Sequence, residues 1–167
     1  ITLATLNVLT MGDVADVGRM VTGKTQLLAE QFAIASLHLI CIQEARTPKG
    51  TSNALDLFYI IASGATSVRT HGCELWAALD RPYATIFFDN GHHQDLFWKP
   101  QHFTVVYTDP TRLMVTIVAP FAIFAVLVAH APHSGRPEHV ISAWWDTTTT
   151  LVHKHLNNWP TLYGIDA

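Results

Sequence analysis

Residues 113 to 129 read LMVTIVAPFAIFAVLVA, without one charged side chain. A run of this kind either crosses a membrane or lies deep in a core. A helical span needs about 20 consecutive apolar residues. This one is shorter, and Pro120 interrupts it. Val115, Ile117 and Val118 before the proline, and Ile123, Val126 and Val128 after it, are β-branched and favour strands. The run therefore predicts two buried strands with a turn near Ala119 and Pro120, and no membrane crossing.

The rest of the composition agrees. The chain has 167 residues, 49% of them apolar and 14% charged, which suits one domain spanning 1–167 with a sizeable core and excludes a disordered chain. The formal net charge of −3 gives no general basic field, so any contact with nucleic acid has to be local. Cys41 and Cys73 lie in apolar runs and read as reduced core residues, since a disulfide framework needs more of them. The chain opens on a strand-like run with no basic leader, which favours an intracellular place, nuclear or cytoplasmic.

Further strands are predicted at ITLATLN, at LHLICIQEAR, where the strand ends in Gln43-Glu44, and at LFYIIASGAT, CELWAALD, FTVVYTD and TLYGIDA. Pro48, Gly50 and Ser52 mark a loop, and residues 89–102 read as a polar surface loop. One helix is predicted over residues 22–36, with Thr22 as its cap and Leu27, Leu28, Phe32 and Ala35 on one side. A second follows Pro137, with Val140, Trp144, Leu151 and His155 on one face, although four successive threonines weaken it.

Four of the apolar strands end on a polar residue: Asn7, Glu44, His130 and Asp166. The carboxyl ends of strands line the ligand crevice in open sheets of this kind. The four residue types together suit hydrolysis of a phosphate ester. A glutamate is a hard oxygen ligand for Mg²⁺, which takes few protein carboxylates and keeps waters and substrate phosphate. An aspartate can orient and deprotonate a water. An asparagine amide can hold the phosphate or that aspartate. A histidine can give a proton or hydrogen bond to a phosphoryl oxygen as charge develops there.

The blocks TLNVLT, LICIQEAR, VAHAP and LYGIDA, in this order and spacing, resemble the endonuclease/exonuclease/phosphatase superfamily, and most closely its non-LTR retrotransposon endonuclease domains. The resemblance implies an α/β (α+β) four-layer sandwich, two packed mixed β-sheets flanked by helices. It implies Mg²⁺- or Mn²⁺-dependent phosphodiester hydrolysis, with DNA as the substrate; no obligate protein partner is inferable from the sequence. Residue by residue, it makes Glu44 the metal ligand, Asn7 a support of the phosphate site and His130 the catalytic histidine. Asp166 becomes the water-orienting acid. Glu74 in GCELW matches loosely the acid that orients the histidine, with a strand-edge or surface glutamate as the alternative. Arg46 and His133 are substrate contacts, and Lys49, Arg69 and Arg81 are the other cations near the early strand ends. The family pattern also has an asparagine two places after the aspartate and a later Asp-His strand. Neither falls within residues 1–167, so the resemblance implies a fold incomplete at the C-terminus and a weak or inactive enzyme.

Other patterns carry less. His130 and His133, His92 and His93, and His153 and His155 lack the thiolates or helical spacing of a zinc centre. Trp144 and Trp145 could stack on a base, but tryptophans on a helix pack in cores more often. Gly18, Gly23, Lys24 and Thr25 match the phosphate-loop spacing formally, with no strand leading into them. Two alternatives stand beside the nuclease: a small-molecule or lipid phosphoesterase on the same scaffold, and a folded fragment without catalysis. A steep loss of affinity with salt separates the nuclease from the first, and Mg²⁺ titration separates it from the second.

Overall fold

The computed structural model of the chain describes residues 1–9, 11, 23–55 and 57–166. Its elements, in chain order, are β1 (Leu3–Asn7), α1 (Lys24–Ile34), β2 (Leu39–Gln43), β3 (Thr51–Leu55), β4 (Phe58–Ala62), β5 (Cys73–Ala78), β6 (Pro82–Phe87), β7 (His93–Phe97), β8 (Phe103–Asp109), β9 (Arg112–Ala119), β10 (Ala122–His130), α2 (Glu138–Leu156) and β11 (Thr161–Asp166). A short 3₁₀ turn, Pro100–His102, precedes β8.

Two mixed sheets result. The first has the order β1-β2-β5-β4-β3 and the second β11-β10-β9-β8. Each holds one parallel pair at its edge, β1 with β2 and β10 with β11, and is otherwise antiparallel. Parallel neighbours need a crossover. Helix α1 lies between β1 and β2 in sequence, and α2 between β10 and β11. Each helix covers the outer face of its own sheet, which gives the four-layer sandwich.

Alternation along the strands fills the layers. Leu39, Cys41, Cys73, Leu75 and Ala77 of the first sheet meet Leu113, Val115, Ile117, Val126 and Val128 of the second. Ile40, Ile42, Phe58, Ile60, Trp76 and Ala78 face the other way, onto Ala29 and Phe32 of α1. Met114, Ala125, Leu127 and Ala129 face α2 through Trp144, Leu151, Val152 and Leu156. The run at 113–129 thus becomes β9 and β10, joined at Pro120 and Phe121, with both faces covered. No described helix is long and apolar enough to cross a membrane. Cys41 and Cys73 are buried free thiols, with burial pushing the Cys41 pKa up to about 12.

Several sequence expectations need correction. Residues 89–102 are not all loop: His93–Phe97 is a strand, paired with β6. The signal was Asn90-Gly91, a hairpin turn in which Gly91 takes a φ of 80°. Ser52 belongs to β3 rather than to a loop. Helix α1 buries Ala29 and Phe32, while Leu27 is half exposed. Thr22 and Gly18 lie outside the described residues. The threonine run is helical, and Thr147, Thr148 and Thr150 each satisfy their hydroxyl within the helix by donating to the carbonyl four residues back.

Candidate functional site

Asn7, Glu44, His130 and Asp166 come together at one end of the sandwich, where β1, β2, β10 and β11 finish side by side. Register brings this about. Asn7 pairs with Gln43 across β1 and β2, and His130 with Asp166 across β10 and β11. Gln43 closes the gap beneath them. Its fully buried amide donates to Gly164 O at 2.8 Å and to Thr5 Oγ1 at 3.0 Å, so one side chain ties β1, β2 and β11. Beside it the strands approach so closely that a Cβ on Gly164 would stand 2.3 Å from Cys41 Cβ.

Above this floor, Asn7 Nδ2 donates to Asp166 Oδ2 at 2.5 Å. His130 continues the inward row of Val126 and Val128. Its Nδ1 lies 3.5 Å from Asp166 Oδ2 without forming a hydrogen bond, and its Nε2 lies 3.4 Å from Glu44 Oε1. Glu44 Oε2 accepts from Arg46 Nη2 at 3.1 Å.

Strict alternation after Ile40 and Ile42 would send Glu44 toward α1. The backbone prevents this: Glu44 has a φ of 56° and Arg46 a φ of 55°. Left-handed steps at non-glycine residues are uncommon and concentrate at functional sites. The loop is held there by Ala45 N donating to Gly72 O and Arg46 N to His71 O.

The last contact brings in a residue that the sequence analysis missed. His71, also at positive φ (63°), places its ring 5.4 Å from that of His130. Burial, and then the neighbouring His130, lower the His71 pKa. Donor atoms of Glu44, His71 and His130 all lie within 4.8 Å of one another. Antiparallel register could have found His71, because Gln43 pairs with Cys73, so residues just before β5 sit beside those just after β2. His133 is not a member of this cluster. That residue is exposed and accepts from Gly135 N. It lines, with His71, Thr111, His130, Arg136 and Trp144, an open cleft of about 200 Å³ beside the site. Arg136, exposed on this rim, was also missed.

Glu74 does not orient His130, and it is not a surface residue either. It shares the outer face of β5 with Trp76, only 4% exposed. Its carboxylate accepts from Trp76 Nε1 at 2.7 Å and from Thr47 Oγ1. Burial raises its pKa, against the two hydrogen bonds. Arg81 is also displaced from the expected cation set, because its guanidinium donates to Ala33 O at the end of α1. Lys49 and Arg69 are exposed on the loops before β3 and β5. Trp144 packs against the second sheet with the Arg112 guanidinium 4.5 Å from its ring centroid, and Trp145 meets it edge-on.

The same architecture occurs in a solved structure, the endonuclease domain of TRAS1, a telomere-specific non-LTR retrotransposon. The match has a TM-score of 0.55 at 15% identity and covers 98% of this chain. The likeness is one of fold. The chain spans 57% of the length of the TRAS1 domain. No protein-family model matches the chain, and no curated protein matches it in sequence. Within this fold, the cluster at Asn7, Glu44, His130 and Asp166 lies at the carboxyl ends of parallel strands, where ligands bind in open sheets.

Proposed function

We propose that the protein is a divalent-metal-dependent phosphodiesterase that cuts DNA, of the retroelement endonuclease type. The observation that carries this is the meeting of Asn7, Glu44, His130 and Asp166 from four strands in one half-open site. The solved endonuclease domain with the same fold supports DNA as the substrate.

The donor chemistry at Glu44 fits a metal. One oxygen is taken by Arg46, and the other faces the site, in a side chain 18% exposed. When bound there, Mg²⁺ or Mn²⁺ would supply Lewis-acid polarisation and a template for phosphate oxygens. The chain's own groups do the rest. Asp166, 40% exposed, can accept the proton of an attacking water. The Asn7 amide keeps the Asp166 carboxylate turned toward that water. His130 can donate to a phosphoryl oxygen as negative charge grows on it. Arg46 and Arg136 add local positive charge for the flanking phosphates, which the net charge of −3 does not supply.

The test is nicking of supercoiled plasmid by the purified protein with Mg²⁺ or Mn²⁺. Cleavage is expected to vanish in EDTA and in His130→Ala, and DNA binding to weaken steeply as salt rises. A protein that neither cuts DNA nor binds it with either metal would remove the proposal. Cleavage of a small phosphoester with a flat salt response would reassign the substrate.

A further inference from the structure

Mg²⁺ has little use for imidazole, yet Glu44 shares its cluster with two imidazoles, those of His130 and His71. Glu44 Oε1 and His130 Nε2 stand 3.4 Å apart. Two donors on one tetrahedral zinc, each at about 2.0–2.1 Å, stand about 3.3 Å apart. This edge of the site is therefore already at coordination spacing. His71 offers a third donor within 4.8 Å of a carboxylate oxygen of Glu44 and a ring nitrogen of His130, a gap that a change of ring torsion can close.

Polar groups around the cluster agree. Nδ1 of His71 and Nδ1 of His130 are both buried without a hydrogen-bond partner. Buried polar atoms are rarely left so. A histidine bound to a metal through one nitrogen commonly gives the other N–H to a carboxylate, which fixes the ring. His130 has that arrangement in outline: Nε2 faces Glu44, and Nδ1 faces Asp166, itself held by Asn7. On the far side of Glu44, Arg46 occupies Oε2, so one carboxylate oxygen is committed to the guanidinium and one is left for an ion. The two histidine-bearing segments are also joined below the cluster. His130 N donates to Thr111 O and Gly72 N to Pro110 O, which anchors both to the turn between β8 and β9.

We infer that Glu44, His71 and His130 form a carboxylate–bis-imidazole site for a nitrogen-preferring divalent ion of the Zn²⁺ or Co²⁺ class. Such ions take imidazole and carboxylate together, while Mg²⁺ keeps to oxygen. The two uses of Glu44 exclude each other. An ion held on His130 withdraws its imidazole from the phosphoryl group, and an ion on Glu44 Oε1 displaces Mg²⁺. Zn²⁺ is then an inhibitor of cleavage. Binding stands without the proposed nuclease activity; only the inhibition rests on it.

The probe is Co²⁺, followed by its visible d–d absorption, with Zn²⁺ added in competition. The wild-type protein is expected to bind one Co²⁺ with the intense bands of a low-coordinate ion, and Zn²⁺ to displace it. The variant is His71→Asn, because asparagine tolerates positive φ. Its Co²⁺ and Zn²⁺ affinity is expected to fall at least about 10-fold, with unchanged circular dichroism. A second measurement follows the histidine ring signals by NMR, where Zn²⁺ should move those of His71 and His130 together. Equal Zn²⁺ affinity in His71→Asn, or Zn²⁺ binding that leaves both rings unmoved, overturns the inference. With Mg²⁺ present, Zn²⁺ should block plasmid nicking in the wild type and at least about 10-fold less effectively in His71→Asn. A protein that binds Zn²⁺ through His71 but neither cuts nor binds DNA defeats the nuclease proposal alone. One that cuts DNA but shows no role for His71 in Zn²⁺ binding defeats this inference alone.

Discussion

The first sheet holds a glutamate on each side, and the two sides treat it in opposite ways. Glu74 obeys the alternation of β5, faces α1 with Trp76, and spends both oxygens on Trp76 Nε1 and Thr47 Oγ1. Glu44 breaks the alternation of β2 through a left-handed backbone, faces the second sheet, and meets His130, His71 and Arg46. One carboxylate is finished by its own protein and the other is left with capacity to spare. Burial alone does not tell a working acid from a structural one; what its oxygens already hold does.

The sharpest way to break the comparison is to exchange the charges for neutral side chains. Glu44→Gln is expected to reduce Mg²⁺-dependent nicking about 100-fold or more, with the melting temperature little changed. Glu74→Ala should do the reverse. It leaves the Trp76 indole N–H without its acceptor in a buried site, and is expected to cost about 2–4 kcal/mol in urea unfolding, with nicking retained at temperatures where the variant is folded. If Glu74→Ala removes activity while leaving stability intact, the two roles have been assigned the wrong way round.

Packing below the site gives the next largest effect. Gly164→Ala forces a methyl against Cys41 and is expected to cost about 1–3 kcal/mol. Adding Cys41→Ala should recover only part of this, because the clash is with Cys41 Cβ as well as Sγ. Full recovery would show that the sheets can separate there.

The smallest effect is the most diagnostic of Glu74. Its folded pKa is raised by burial, so the folded state holds the proton more tightly than the unfolded chain. The contribution to stability is then full at low pH. It declines as pH rises from the unfolded carboxylate value near 4.3 through the higher folded value. Glu74→Gln can keep both hydrogen bonds, taking the indole N–H on its oxygen and giving its amide to Thr47. It should change stability at pH 4 by less than about 1 kcal/mol and remove this decline from a urea series at rising pH.

Much of this was legible in the sequence. Apolar runs gave the strands, and Asn7, Glu44, His130 and Asp166 announced themselves as polar residues closing them. What stayed hidden depended on facts that a linear pattern does not carry. His71 has no apolar run to end; only the antiparallel pairing of β2 with β5 brings it beside Glu44. Glu74 in GCELW matches the family's histidine-orienting acid only loosely, and counting inward residues along β5 from Leu75 puts Glu74 on the other face. The β6–β7 hairpin was masked by polar residues at 89–95, although Asn90-Gly91 marked its turn.

The hydrogen bond from Asn7 to Asp166 joins residues 159 positions apart. Because β1 and β11 belong to different sheets, this contact reports the docking of the two sheets rather than the folding of either one. The two sheets could each collapse on their own helices before it exists. A partly folded molecule would therefore display ordered strands and no working cleft. Among the described parts of this protein, occupancy of the Asn7–Asp166 pair is the signature that separates a finished molecule from one that merely has its secondary structure.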